Sequence, residues 1–76
     1  MDTLHLRRID PARNMARFYV LSIQPTLFGG VSVIRNWGRI GTSGQAMMQT
    51  FDVNADADKA FTQLARSKGK RGYIAP

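Results

Sequence analysis

Val31-Ser32-Val33-Ile34-Arg35-Asn36-Trp37 runs directly into Gly38-Arg39-Ile40-Gly41. The first seven residues alternate, with Val31, Val33, Arg35 and Trp37 on one side and Ser32, Ile34 and Asn36 on the other, which is the two-residue period of a β-strand. Three glycines between Gly38 and Gln45 then turn the chain. Upstream, Pro25 to Gly30 reads as a hairpin connection, because its proline and two glycines interrupt the alternation on either side.

Before that connection, Met15 to Gln24 forms a second strand. Met15, Arg17, Tyr19, Leu21 and Ile23 share one face and Phe18 and Val20 the other, so both sides are partly apolar and a central place in a sheet is expected. Leu4 to Ile9 alternates as a shorter strand, and Asp10-Pro11-Ala12-Arg13-Asn14 makes the turn between the two. Downstream, Ala46 to Val53 is a fourth strand with Met47, Phe51 and Val53 on one face.

The period then changes. Ala57, Ala60, Phe61, Leu64 and Ala65 recur at i, i+3, i+4, i+7 and i+8, the apolar stripe of an amphipathic helix. Asn54 is the expected N-cap, Asp56 and Asp58 complement the helix start, Arg66 and Lys68 complement its end, and Gly69 is the expected C′ residue. Lys70-Arg71-Gly72-Tyr73-Ile74 leaves as a basic tail that can add a last short strand. The predicted fold is α+β: a small antiparallel sheet of four to five strands with one α-helix packed on it. Phe61 and Leu64 are expected to press on the sheet face carrying Met47 or Met48, Phe51 and Val53.

At 76 residues the chain makes a single domain, 1–76, with a radius of gyration expected near roughly 11 Å. One modest core leaves no room for a deep walled pocket, so a surface binding site is expected rather than an enzyme, with no cofactor. Eleven Lys and Arg against five Asp and Glu give a net charge of +6. Their distribution is uneven: no acid lies between Asp10 and Asp52, and none follows Lys59. A positive field of this kind attracts polyanions.

With no cysteine there is neither a disulfide nor a thiolate metal site, and His5 is the single histidine. Asp52, Asp56 and Asp58 fit helix-start charges better than a metal loop. The apolar runs are too short for a membrane span and the first residues lack a secretory pattern, which makes the cytoplasm the expected location.

The signature Trp37-Gly38-Arg39-Ile40-Gly41 in this strand and helix context resembles the WGR domain, found in poly(ADP-ribose) polymerases and in bacterial proteins. Phe18-Tyr19, Gly44-Gln45, Ala60-Phe61-x-x-Leu64 and the basic ending Lys68 to Gly72-Tyr73 extend the similarity over about Leu4 to Ile74. The resemblance implies contact with DNA near breaks and ends through the positions of Trp37 and Arg39, and equally a use in contacts between domains. The polymerase activity of those enzymes is not expected to carry over with the resemblance. Ala46-Met47-Met48-Gln49-Thr50 departs from the lysine-rich or polar strand of relatives and subtracts charge from one face.

The expected nucleic-acid-binding residues are therefore Trp37, Arg39, Arg35, Lys68, Lys70 and Arg71. An arginine gives two parallel hydrogen bonds to a phosphate, and an indole lies against a ribose or terminal base. Trp37 is equally legible as a core anchor, with Arg39 packed beside it. DNA is favoured over RNA on the resemblance alone, and duplex ends, nicks or single strands are expected over a defined sequence because no helix is free to enter a major groove. The rival reading is a protein–protein interaction module using the same Trp and Arg surface.

Overall fold

Four strands follow one another in chain order and in space, so every connection within the sheet is a hairpin. The computed structural model describes residues 2–75; Met1 and Pro76, at the limits of the expected domain, lie outside them. β1 is Asp2–Asp10, β2 Met15–Pro25, β3 Val31–Arg39 and β4 Gln45–Phe51, ordered β1-β2-β3-β4 with antiparallel pairing throughout. One helix, α1 (Asn54–Lys70), follows. The expected α+β architecture is observed, with β2 and β3 central.

The register sorts the sheet into two faces. Leu6 lies opposite Tyr19 and Tyr19 opposite Trp37; one step on, Leu4, Leu21, Arg35 and Met47 form the next transverse row. This is the face that α1 covers. Leu6, Tyr19, Leu21 and Val33 from the strands, Ala57 from the helix and Tyr73 from the tail form the buried core, with Phe51, Ala60, Phe61, Leu64 and Ala65 packed around it. On the other face, with Phe18, Val20, Ile34 and Met48 along its middle, the loop after β3 folds over Phe18 and no other layer is found among the described residues.

Several local expectations are corrected. The N-cap is Val53, not Asn54: the Val53 carbonyl accepts from the Asp56 and Ala57 amides at 3.1 and 3.3 Å, and Asn54 is already helical. The helix also runs through Gly69 to Lys70, so Gly69 is not its terminator; Gly72, with φ of +90°, supplies the left-handed residue beyond the Arg71 cap. β3 extends through Gly38 and Arg39 rather than ending at Trp37. Phe61 and Leu64 press, as expected, on the sheet face that carries Met47 and Phe51; Met47 and Val53 are themselves exposed, and Met48 lies on the opposite face.

The radius of gyration is 13.4 Å and the extents are 45 × 24 × 16 Å, more elongated than the expected sphere. Strand length is the cause, since the eleven residues of β2 at about 3.3 Å each span most of the long axis. The tail forms one antiparallel bridge, Arg7 to Ile74, with both backbone hydrogen bonds at 2.8 Å.

Candidate nucleic-acid interface

At the end of the sheet where β1 closes and β2 opens, Arg8 faces Arg17 and Arg17 faces Arg39, three arginines in one transverse row on the helix-covered face. Like charges placed directly opposite one another are destabilising. Among the described residues the ion pair found is Arg13 with Asp10, at 3.6 Å on an exposed turn, and it neutralises none of the three. Arg39 is instead held by neutral groups: its Nη1 donates to the Asn14 carbonyl at 3.2 Å and its Nη2 to Asn14 Oδ1 at 3.5 Å. Asn14 reaches that place because Pro11–Arg13 forms a 3-10 turn and Asn14 itself adopts φ of +51°, a left-handed conformation that asparagine tolerates.

Beside this row lies an aromatic wall. Trp37 stacks on Tyr19 with ring centroids 6.5 Å apart and planes at 28°, and Tyr73 meets Tyr19 edge-on at 6.1 Å. The last turn of α1 sets Lys68 above this wall, its Nζ 4.6 Å from the Tyr19 ring centroid and 5.4 Å from that of Tyr73. Arg35 lies 5.8 Å from the Trp37 ring and rests its Nη2 on Met47 Sδ. Arg17, Trp37, Gly38, Arg39, Lys68 and Tyr73 together line an open cleft of about 410 Å³.

Two groups here titrate away from their ordinary ranges. Partial burial lowers the Lys68 pKa, helped by repulsion from Arg71, Arg35 and Arg17. Burial raises that of Tyr19, and the Arg35 guanidinium opposes the shift without cancelling it. The Tyr19 hydroxyl has no hydrogen-bond partner within geometric reach among the described residues.

Of the six expected residues, the fold brings Trp37, Arg39 and Lys68 into one cleft and places Arg35 against the Trp37 ring. Lys70 and Arg71 are exposed at the end of α1 and do not line the cleft. Trp37 is half-buried, packed against the core and lining the cleft. Arg17 and Tyr73 belong to the cleft but were not among the expected residues. Arg17 was legible as a neighbour of Tyr19 on the same strand face; its position opposite Arg39 required the register.

Gly38 has a structural role. A Cβ there would stand 2.7 Å from the Gly44 Cα, and one on Gly44 would stand 2.2 Å from the Trp37 carbonyl oxygen and 2.8 Å from the Phe18 ring. The close backbone approach that Gly38 permits is thus to Gly44, as the loop after β3 folds back over Phe18.

A four-stranded meander with one covering helix and a cationic, aromatic cleft at one end defines a small α+β fold. The chain belongs to the WGR domain family, whose model matches residues 2–76. It is 53% identical over 70 residues to "Uncharacterized protein y4dW" of Sinorhizobium fredii (strain NBRC 101917 / NGR234), covering 92% of this chain and 34% of that protein. It is 41% identical over 39 residues to "Protein YehF" of Escherichia coli (strain K12), covering 51% of this chain and 14% of that one. The chain therefore spans about a third and about a seventh of the lengths of these relatives. No solved structure matches it. The family is consistent with a nucleic-acid-binding module, no enzymatic family is indicated, and no helix among the described residues is long and apolar enough to cross a membrane.

Proposed function

We propose that this domain is a non-catalytic DNA-binding module that takes duplex ends, nicks or single strands through phosphate contacts of weak sequence specificity. The observation that carries the reading is the Arg8–Arg17–Arg39 row beside the Trp37 face: none of the three has a carboxylate partner among the described residues, and Arg17 and Arg39 line one cleft with Trp37 and Tyr73. Arg39 and Arg17 take phosphate oxygens, and Lys68 adds a third cation from the helix end. Trp37 lies against a ribose or an unstacked terminal base, a contact worth roughly 1 to 3 kcal/mol. Lys70 and Arg71 contribute to the surrounding field rather than to the cleft.

A broken or single strand suits this cleft better than an intact duplex, because the aromatic wall is useful only to a base or sugar that is not stacked on both sides. No helix is available for the major groove, since α1 spends its apolar stripe on the sheet.

Fluorescence anisotropy with nicked, blunt-ended and single-stranded DNA, and with RNA of the same lengths, tests the proposal at two salt concentrations. The expected result is micromolar binding that weakens with salt, by about 0.9 in log affinity per log salt for each duplex phosphate neutralised, and that falls in Arg39→Gln and Trp37→Phe. Salt-insensitive binding, or none at micromolar protein, overturns it. Equal loss for every oligonucleotide in Lys70→Gln, with none in Arg39→Gln, overturns the choice of cleft.

A further inference from the structure

Leu27 and Phe28, at the tip of the β2–β3 hairpin, are 97% and 96% exposed. Two large apolar side chains this bare are costly in water, and the tip that presents them is fixed. The Thr26 amide donates to the Gly30 carbonyl at 2.8 Å, Thr26 Oγ1 accepts from the Gly30 amide at 3.0 Å and from the Phe28 amide at 3.4 Å, and Gly29 turns the chain with φ of +88°. Gly30 lies against β4, where a Cβ would stand 2.9 Å from the Phe51 carbonyl oxygen. A knob held this way loses little conformational freedom on docking.

The charge around the knob narrows what it can meet. No Lys or Arg occurs from Phe18 to Ile34 or from Ile40 to Asp58, and Asp52, Asp56 and Asp58 sit at the β4–α1 junction on the same end of the molecule. Asp58 and Asn54 share a hollow with Pro25, the last residue before the tip. This end repels nucleic acids and anionic membranes and attracts a cationic surface.

The chain carries a receptor of that description at its opposite end. Arg7, Ile9, Gly72 and Ile74 line a pocket of about 300 Å³ in which Ile9 and Ile74 are 60% and 68% exposed. Arg8 adjoins it, with Nε 3.4 Å from where a Gly72 Cβ would stand, and Arg71 precedes it; among the described residues the acid nearby, Asp10, is paired with Arg13. Ile9 lies opposite Ala16, nine residues along β2 from Pro25, which puts knob and pocket roughly 30 Å apart at about 3.3 Å per residue. A molecule cannot fill its own pocket.

We propose that Leu27 and Phe28 of one copy dock into the Arg7, Ile9, Gly72 and Ile74 pocket of a second copy, head to tail, with the acidic end of the first against the cationic rim of the second. Such a contact is heterologous, so repetition yields an open row of copies rather than a closed dimer. Two anchoring side chains bury far less than the roughly 1,200 Å² of a stable interface, so the association is weak and concentration-dependent. It involves no nucleic acid and stands or falls independently of the DNA reading.

An NMR dilution series from about 1 mM to about 20 μM at fixed ionic strength near 0.15 M reads this affinity range. In the wild type, resonances of Leu27 and Phe28 move together with those of Ile9 and Ile74, and sedimentation shows growth with concentration. The doubly substituted Leu27→Ser, Phe28→Ser and the single Ile74→Asp each remain monomeric, since both positions are exposed and Ile74 holds the sheet by its backbone. Mixed, these two variants pair one to one and stop there, because one retains the pocket and the other the knob. Wild-type spectra unchanged by dilution, self-association surviving loss of the knob, or a mixture that fails to pair would each overturn the proposal.

Discussion

Arg17 and Arg39 face each other across β2 and β3, Cα opposite Cα, with Arg8 continuing the row on β1 and no carboxylate among the described residues paired with any of them. Direct cross-strand juxtaposition of like charge costs roughly 0.2 to 1 kcal/mol. Arg17→Gln is therefore expected to raise stability by a few tenths of a kcal/mol while weakening DNA binding and reducing the duplex salt slope by about 0.9. Urea unfolding and anisotropy at two salt concentrations check the two halves together. A variant that loses stability, or binds DNA unchanged, contradicts the assignment of Arg17 to the cleft.

Gly44 holds the loop after β3 against the strand that carries Trp37. It combines φ of +68° with a Cβ position that overlaps the Trp37 carbonyl and the Phe18 ring. Left-handed strain alone costs about 1 to 3 kcal/mol, and the backbone oxygen cannot move aside, so Gly44→Ala is expected to destabilise by at least about 2 kcal/mol. Gly41, with positive φ but nothing within 4 Å of its Cβ position, is the control. Its alanine variant should lose the strain term only, and a urea midpoint for Gly44→Ala no lower than that of Gly41→Ala would refute the close-approach argument.

The sheet was legible because β2 is apolar on both sides, β3 keeps a two-residue period, and proline and glycine mark both ends of the hairpin between them. The helix stripe from Ala57 to Ala65 was equally plain, and it required a sheet face to cover. Helix ends were less so: Asn54 has the chemistry of an N-cap, but Val53 takes the position because its carbonyl, not a side chain, accepts the first helical bonds. In the cleft, Trp37 and Arg39 could be found from their own strand and Lys68 from the basic end of α1. Arg17 and Tyr73 could not, since which residues face them depends on the register of β2 with β3 and on the turn at Gly72, neither of which is local in sequence.

Lys68 makes the proposed binding sensitive to alkaline pH. Burial and three neighbouring arginines hold its pKa below 10.5 in the free protein, and a phosphate in the cleft would favour the charged form and raise it again. Binding then takes up a proton, so affinity for single-stranded DNA should begin to fall below the ordinary lysine range as pH rises. Lys68→Arg keeps its charge throughout and should flatten that profile. Parallel pH titrations of the two proteins decide the matter: identical profiles would remove Lys68 from the interface.

Tyr19 lies at the centre of the core with its hydroxyl buried and without a hydrogen-bond partner among the described residues. Tyr19→Phe keeps the ring stacked on Trp37 and edge-on to Tyr73 while removing that oxygen, and should stabilise the domain by about 1 kcal/mol. The pH dependence gives a second readout with a definite sign. Burial raises the tyrosine pKa in the folded state above 10.0, so below pH 10.0 both states hold the proton and its contribution is fully present. As pH climbs from 10.0 through the folded-state value, the unfolded chain ionises first and stability is lost. Phenylalanine has no proton to lose, so the gap between variant and wild type should widen above pH 10.0 in thermal unfolding. A variant less stable than the wild type at neutral pH would mean that the hydroxyl makes a bond to Arg35 strong enough to outweigh its burial.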